Sequence, residues 1–588
     1  MTPPPVAPAV VADVLDALPP RLRKRVDAAL DKAAAWQVVV DGDGARAELD
    51  TDTALTWVLR GGVLASADDL TCTCLLAPKC LHRGVAVAAA EVAEVPGAGA
   101  PGTGVPAEVA APVAEVAEES GPPPIREDER SAAAVLWEAC ATVLRSGASG
   151  SGAVVRAGLL RAVHVARVAG LHRASSAGLR IASMLADARA GSSSFDRELL
   201  TAELVELLLL CHDLRAGVPV DPAELRGTAR REYRPIGALR LYGLCTEPVV
   251  TSSGYAGVVT HLVDDRGGLW TVPAIMPGGR ERVVAAAGGP VAIGESGLTQ
   301  AGLGRGGLLL SGGTASPDRR LGAGKAVRAV AASGATWDEE PLAGLWRQPL
   351  AEQVDRAFRA AARPEAHRPP GDALLFAEGV VRGPVGAALR VQVDGGHVDL
   401  VARDERTRDN LRVLSGADGL RVKVVARLLP ERPGAAVALA LSGDVDLPSA
   451  LKGRADLGLD RVQRSHVARG ATHDLPPDGE DARPSVPPPL RPLENVLHRV
   501  TLGGRAVAGV ASTGRDVAAL RDSGLRTTAA LLEELAAASR DRERDAFGRV
   551  VRDAGDAFPH AWLRAGLHVR EFTRAAARRT WVEVVGGG

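Results

Sequence analysis

The chain has 588 residues, 46% of them hydrophobic and 3% aromatic, with 70 Lys+Arg against 71 Asp+Glu for a formal charge of -1. That length exceeds a single hydrophobic core, so several domains are expected. The even charge excludes a chain-wide surface for polyanions and leaves only local basic faces. Nearly all the positive charge is arginine, which with abundant Ala, Gly and Val is the composition expected from a GC-rich bacterial genome. The first segment, 1–35, predicts a helix pair over 9–35 broken at Pro19-Pro20, with Arg21, Arg23, Lys24 and Arg25 at the second start. Cations are unfavourable at that end of the helix dipole. The cluster reads either as a solvated face or as a nucleic-acid contact.

From residue 36 the pattern turns to strands. Trp36–Val40 and Ala45–Leu49 flank an Asp41-Gly-Asp-Gly44 turn, and Leu55–Leu59 follows as a third strand. Then comes Cys72-Thr-Cys74, five residues, and Cys80-Leu-His82. Residues two apart in an extended chain face the same side, so Cys72 and Cys74 can grip one ion. Pro78 bends the connection and lets Cys80 and His82 return. Three thiolates and an imidazole make a closed tetrahedral set, which is a structural zinc site. Gly84–Ala90 can continue as a helix.

These residues resemble a SWIM zinc finger, whose motif is C-x-C…C-x-H. The resemblance covers residues 36–93 and departs in a shorter central gap and in Leu81, where a lysine is common. It implies a Zn2+ site on Cys72, Cys74, Cys80 and His82, and a module that contacts DNA or a protein. It also implies a partner engine: in bacteria such fingers occur beside helicase-like ATPases of the Swi/Snf type or in neighbourhoods with MoxR-type ATPases.

Residues 94–127 are Pro, Gly, Ala, Val and Glu without a periodic face, a linker that tethers the zinc module. Within 128–215, Ala132–Leu144, Val154–Val168, Ala174–Ala190 and Leu199–Leu214 carry helical spacing, separated by Gly-Ser runs, and predict a small bundle. His164 and His172 fall here as core or surface histidines. The period becomes strand-like across 237–345. In 370–446 the order is three strands, a helix over 404–414 and two strands, which resembles an OB-fold barrel, with the preceding unit a degenerate relative. Residues 463–493 form a Pro-rich linker, and 494–583 is helical, ending in Arg570, Arg574, Arg578 and Arg579 on one face. That face is either solvated or a partner- or phosphate-binding surface. The fold class expected is multi-domain α+β: a small treble-strand and helix zinc module, a helical bundle, two β-rich OB-like units and a C-terminal helical region.

Several motifs fail. Leu321-Gly-Ala-Gly-Lys-Ala326 lacks the Ser or Thr that a phosphate loop needs, Gly294-Glu-Ser-Gly-Leu298 misplaces the second glycine of a nucleophile elbow, and Asp41–Gly44 has Ala45 where a calcium loop needs oxygen. No catalytic set is visible, so the expectation is a non-enzymatic zinc-binding adaptor. The alternative is a single-stranded nucleic-acid-binding protein using the OB-like units, with Tyr242, Tyr255, Trp270 and Phe376 as stacking aromatics. Cys140, Cys211 and Cys245 sit in apolar runs as buried thiols. With sparse cysteines, no signal-peptide pattern and no membrane-length apolar run, a cytoplasmic protein without membrane contact is expected.

Overall fold

The computed structural model describes residues 3–19, 22, 25–26, 29–33, 36–50, 52–93, 123–192, 195–228, 233–251, 254–322, 327–363, 368–369, 371–467, 486–508, 513–547, 549–552 and 555–585. Most of both linkers, Arg21, Arg23 and Lys24 of the basic cluster, and 323–326 of the failed phosphate loop lie outside these residues. The chain divides into two compact units, one of 1–229 with 489–568 and one of 230–488 with 569–588. Among the described residues no helix is long and apolar enough to cross a membrane.

The first unit opens with helix α1 (Pro8–Asp16) and an antiparallel sheet of β1 (Val38–Asp41), β2 (Gly44–Glu48), β3 (Ala54–Val58) and β4 (Leu70–Cys72), in that spatial order. Alternation is visible in β2 and β3, where Ala45, Ala47, Leu55 and Trp57 point inward and Arg46, Glu48 and Thr56 outward. Asp41 pairs with Gly44 across a two-residue turn, so a hairpin accounts for the Asp-Gly-Asp-Gly run. β4 has three residues, too few for a period to register in sequence. Helix α2 (Leu81–Ala89) follows.

Four helices come next: α3 (Glu127–Gly150), α4 (Ala153–Val168), α5 (His172–Ala190) and α6 (Arg197–Ala216). α3 begins at Glu127, inside the expected linker, because Glu127, Asp128 and Glu129 suit the positive end of its dipole. Glu129 is fully buried and takes two hydrogen bonds from Arg226, at 2.7 and 2.9 Å. The Gly-Ser run after Leu144 holds a kink at Gly147 and then the two-residue break, Ser151-Gly152, that separates α3 from α4. Gly147 adopts φ +68°, and a Cβ there would meet the Gly504 backbone N at 2.2 Å, so only glycine permits that approach. Cys140 and Cys211 are buried free thiols, and burial pushes Cys140 up to about 12.

The zinc-type module is not merely tethered to these helices. α1 packs against both α2 and α4, and Arg156 of α4 donates to the Ala88 carbonyl at 3.2 Å. Gly84 of α2 lies against Leu15, Leu18 and Val26, where a Cβ would sit 2.6 Å from the Leu18 side chain. The sequence misses this because the contact runs from the N-terminal helix, not through the linker.

In the second unit, β5 (Leu239–Val250), β6 (Tyr255–Asp264) and β7 (Leu269–Pro277) form a meander, then helix α7 (Glu281–Gly288), β8 (Gly307–Ser311) and β9 (Arg328–Ala332). Their spatial order is β9-β8-β5-β6-β7, all antiparallel. Helix α8 (Leu350–Ala361) leads to β10 (Leu374–Val385), β11 (Ala388–Val393), β12 (Gly396–Val401), helix α9 (Glu405–Ser415), β13 (Arg421–Leu428), β14 (Ala435–Gly443) and β15 (Arg454–Asp456). β12 pairs in parallel with β14 and closes β10 to β14 into a five-stranded barrel. Inward residues such as Leu389, Val391, Leu400, Val424 and Leu441 fill it.

α10 (Arg491–Gly503) starts inside the second expected linker, anchored by Leu490 and Leu493, both fully buried. α10 packs on α3 and α6 in the first unit. α11 (Thr513–Asp522), α12 (Arg526–Arg540) and α13 (Ala557–Val585) complete the chain. α13 counts with the first unit to His568 and with the second from Val569, so the C-terminal helices form no region of their own. The arginine face of α13 is paired. Arg570 bonds Glu571 at 2.7 Å, Arg574 lies 3.4 Å from Glu571 and 3.9 Å from Glu431, Arg578 bonds Asp355 at 2.6 Å and Arg579 bonds Glu583 at 3.0 Å. Arg578 and Arg579 remain 53% and 84% exposed within these pairs, as the solvated reading of that face expects.

Burial on α10 makes one testable pH effect. Glu494 is pushed up to about 7 by burial, with Glu198 adding repulsion. Its ionisation therefore opposes folding, a penalty absent below about pH 4.5 and complete above about pH 7. His498 is pushed down to about 4 by burial and the nearby Arg197, so it costs stability as pH falls from about 6.5 to 4. Glu494→Gln should raise the melting temperature by a few degrees at pH 8, an effect on the order of 1–3 kcal/mol, and change nothing at pH 4. Calorimetry of both proteins at the two pH values checks this; an equal shift at both would remove the titration as its cause.

Candidate metal centre

Each of the four predicted ligands is delivered by a different local device. Cys72 ends β4, held in register by Leu55 opposite it. Cys74 starts a turn closed by Ala77 N donating to the Cys74 carbonyl at 3.0 Å. Cys80 is the N-cap of α2 with extended φ/ψ of −108°/158°, and His82 lies in that helix's first turn. The structure brings Cys72, Cys74, Cys80 and His82 together, with their ligand atoms all within 4.8 Å of one another. Sγ of Cys72 is 3.9 Å from Nδ1 of His82. Thiolates at about 2.3 Å from a tetrahedral ion sit about 3.8 Å apart, so this donor set fits a metal ion. Cys80 is buried and the other three are half-buried.

Metal-free, the cluster is unfavourable to ionise. Burial pushes Cys72 up to about 12, with Cys80 adding to the rise, and burial likewise raises Cys80. A bound dication reverses this balance, since a coordinating thiol is held as the thiolate.

Two residues that sequence reasoning did not single out hold the ligands in place. Thr73, between Cys72 and Cys74, accepts from Ala54 N at 2.8 Å and donates from its hydroxyl to the Asp52 carbonyl at 3.0 Å. Its own N–H donates to the Ala54 carbonyl at 3.0 Å. Arg83, directly after His82, is buried and donates to the carbonyls of Pro78 and Ala67, spanning the ligand loop from beneath. A lone arginine inside the apolar run after C-x-H was the available signal.

Among the described residues no other group of His, Cys, Asp and Glu lies close enough to hold a metal. His164 is exposed and His172 half-buried, both outside such a group. Of the four aromatics considered for base stacking, Phe376 is buried in the core against Trp346, with ring centroids 5.4 Å apart, and is not available to a ligand. The chain matches no protein-family model, and neither a curated protein nor a solved structure shows significant similarity to it.

Proposed function

We propose that the chain is a non-catalytic adaptor whose SWIM-type finger, closed by one zinc ion on Cys72, Cys74, Cys80 and His82, presents a surface to a DNA or protein partner. A separate ATPase, of helicase-like or MoxR type, would supply any mechanical work. The observation that carries this is the Cys3His cluster. Four protein ligands complete a zinc tetrahedron and leave no position for water or substrate, so the ion serves structure. On the ligand loop, Leu75 is 104% exposed and Leu76 57%. Two solvent-facing aliphatic side chains offer nothing to a phosphate backbone, which favours a protein as the partner.

Pull-downs from the native host should retain the same partner with the wild-type chain and lose it with Leu75→Asp/Leu76→Asp and with Cys74→Ser/Cys80→Ser. Identical captures by all three would contradict the finger as the contact surface.

A second reading rests on the closed barrel. Its pairings run β10 to β11 to β12, β12 to β14, β14 to β13 and back to β10, with α9 between the third and fourth strands. That order resembles an OB-fold barrel. The preceding sheet repeats it without the closing pair, since β9-β8-β5-β6-β7 corresponds to β14-β13-β10-β11-β12. This supports single-stranded nucleic-acid binding as the alternative, while the burial of Phe376 weakens its stacking component.

A further inference from the structure

Within the second unit, between the β5–β7 meander and the barrel, lies a cleft of about 1170 Å³. Its floor holds a buried charge network. Glu247 of β5 accepts from Nε2 of His261 of β6 at 2.9 Å and from Arg427 of β13. Burial alone would raise Glu247, but Arg427 and the His261 hydrogen bond overcome it and hold it down to about 2. Glu247 is thus ionised, and His261 carries its proton on Nε2. His261 lines the cleft at 3% exposure, and its Nδ1 is buried with no hydrogen-bond partner among the described residues.

Arg403, after β12, lines the same cleft. It is solvent-exposed yet makes no hydrogen bond or ion pair with a described residue. Crowding by protein and by the like charge of Arg427 lowers it from its ordinary value. The buried carboxylate of the cleft, Glu247, is already engaged by Arg427 and His261 and makes no ion pair with Arg403. The other acids nearby are committed: Asp404 caps α9 through Thr407 N at 2.8 Å, Asp409 lies 3.3 Å from Arg412, and Glu431 lies 3.9 Å from Arg574. Arg280 and Arg406 add further positive charge to the rim, against Glu405.

We propose that this cleft is a phosphate-binding site, with Arg403 and Arg427 as the fork that takes the oxyanion and His261 behind them. Planar guanidiniums match phosphate oxygens in pairs, and a bound anion would relieve their mutual repulsion. The cleft is slightly larger than the roughly 300–1,000 Å³ of most small-molecule pockets, so it has room for more than a single phosphate group. Between the charged groups its walls are aliphatic, with Val249, Val283, Leu429 and Leu439 among them, and hold no Phe, Tyr or Trp among the described residues. It therefore grips phosphate and not a stacked base. A phosphodiester backbone and a soluble polyphosphate share this chemistry. The site stands on the second unit alone, independently of the finger.

The test is a titration of the full chain with fluorescein-labelled (dT)12, read by anisotropy, and with inorganic tripolyphosphate, read by calorimetry. Binding of one or both is expected, with affinity falling as salt rises, and the probe that binds identifies the source. Arg403→Ala should weaken that binding about tenfold or more. Arg403 is exposed, so the variant should melt with the wild type, and Cys74→Ser/Cys80→Ser should bind the probe unchanged. Failure of both probes to bind, or equal binding by a folded Arg403→Ala variant, would overturn the site.

Discussion

Removal of the metal should unfold residues 36–93. The module has a four-stranded sheet of short strands and one nine-residue helix, and about sixty residues bury too little to fold securely alone. Zinc in such modules contributes on the order of 10 kcal/mol, comparable with the stability of a whole domain. Amide exchange with and without a chelator should show protection lost across β1 to β4 and α2. The loss should also reach α1 and the face of α4 beside it, because α1 packs on both helices and Arg156 holds the Ala88 carbonyl. The β5–β15 region should keep its protection. Retained protection in 36–93 after stripping would mean the ion is dispensable to the fold.

The second large effect is expected at the other end of the chain. Trp581 of α13 is fully buried, and Ala577 one turn earlier joins it in the core that fills the barrel unit. Gly396, the first residue of β12 in its hairpin with β11, has Val584 O where its Cβ would stand, at 1.4 Å, so the helix end meets that hairpin backbone to backbone. Trp581→Ala should cost about 3–5 kcal/mol of the second unit's stability and leave the metal content unchanged. Chemical denaturation followed by far-UV dichroism measures it. A loss under about 1 kcal/mol would show that α13 is not part of that core.

The metal cluster was legible in sequence because ligand chemistry is discrete: only thiolate and imidazole at those spacings make the set. The helices α3 to α6 were legible from their 3.6-residue period, and the strands of the barrel from alternation. What sequence obscured is long-range. α1 meeting α4, α10 joining α3 and α6, and α13 serving both units are contacts between segments far apart, with no local signature. The run at 146–152 does separate two helices, but its composition gives no sign that α3 continues through a kink at Gly147 to Gly150 and admits the Gly504 backbone there. Of the carboxylates that meet the arginines of α13, Glu571 and Glu583 are local, but Asp355 and Glu431 lie more than a hundred residues away and leave no trace in the local sequence. Glu247, His261, Arg403 and Arg427 come from separate strands and a loop, so nothing in the linear order groups them.

Elemental analysis of the purified full chain tests the proposed zinc site at Cys72, Cys74, Cys80 and His82 most directly. About one zinc per chain is expected for the wild type, about none for Cys74→Ser/Cys80→Ser, and full occupancy for a substitution outside the cluster such as Cys140→Ser. A Cys74→Ser/Cys80→Ser protein that keeps one zinc per chain, or a wild type that carries none when purified without chelator, would contradict it.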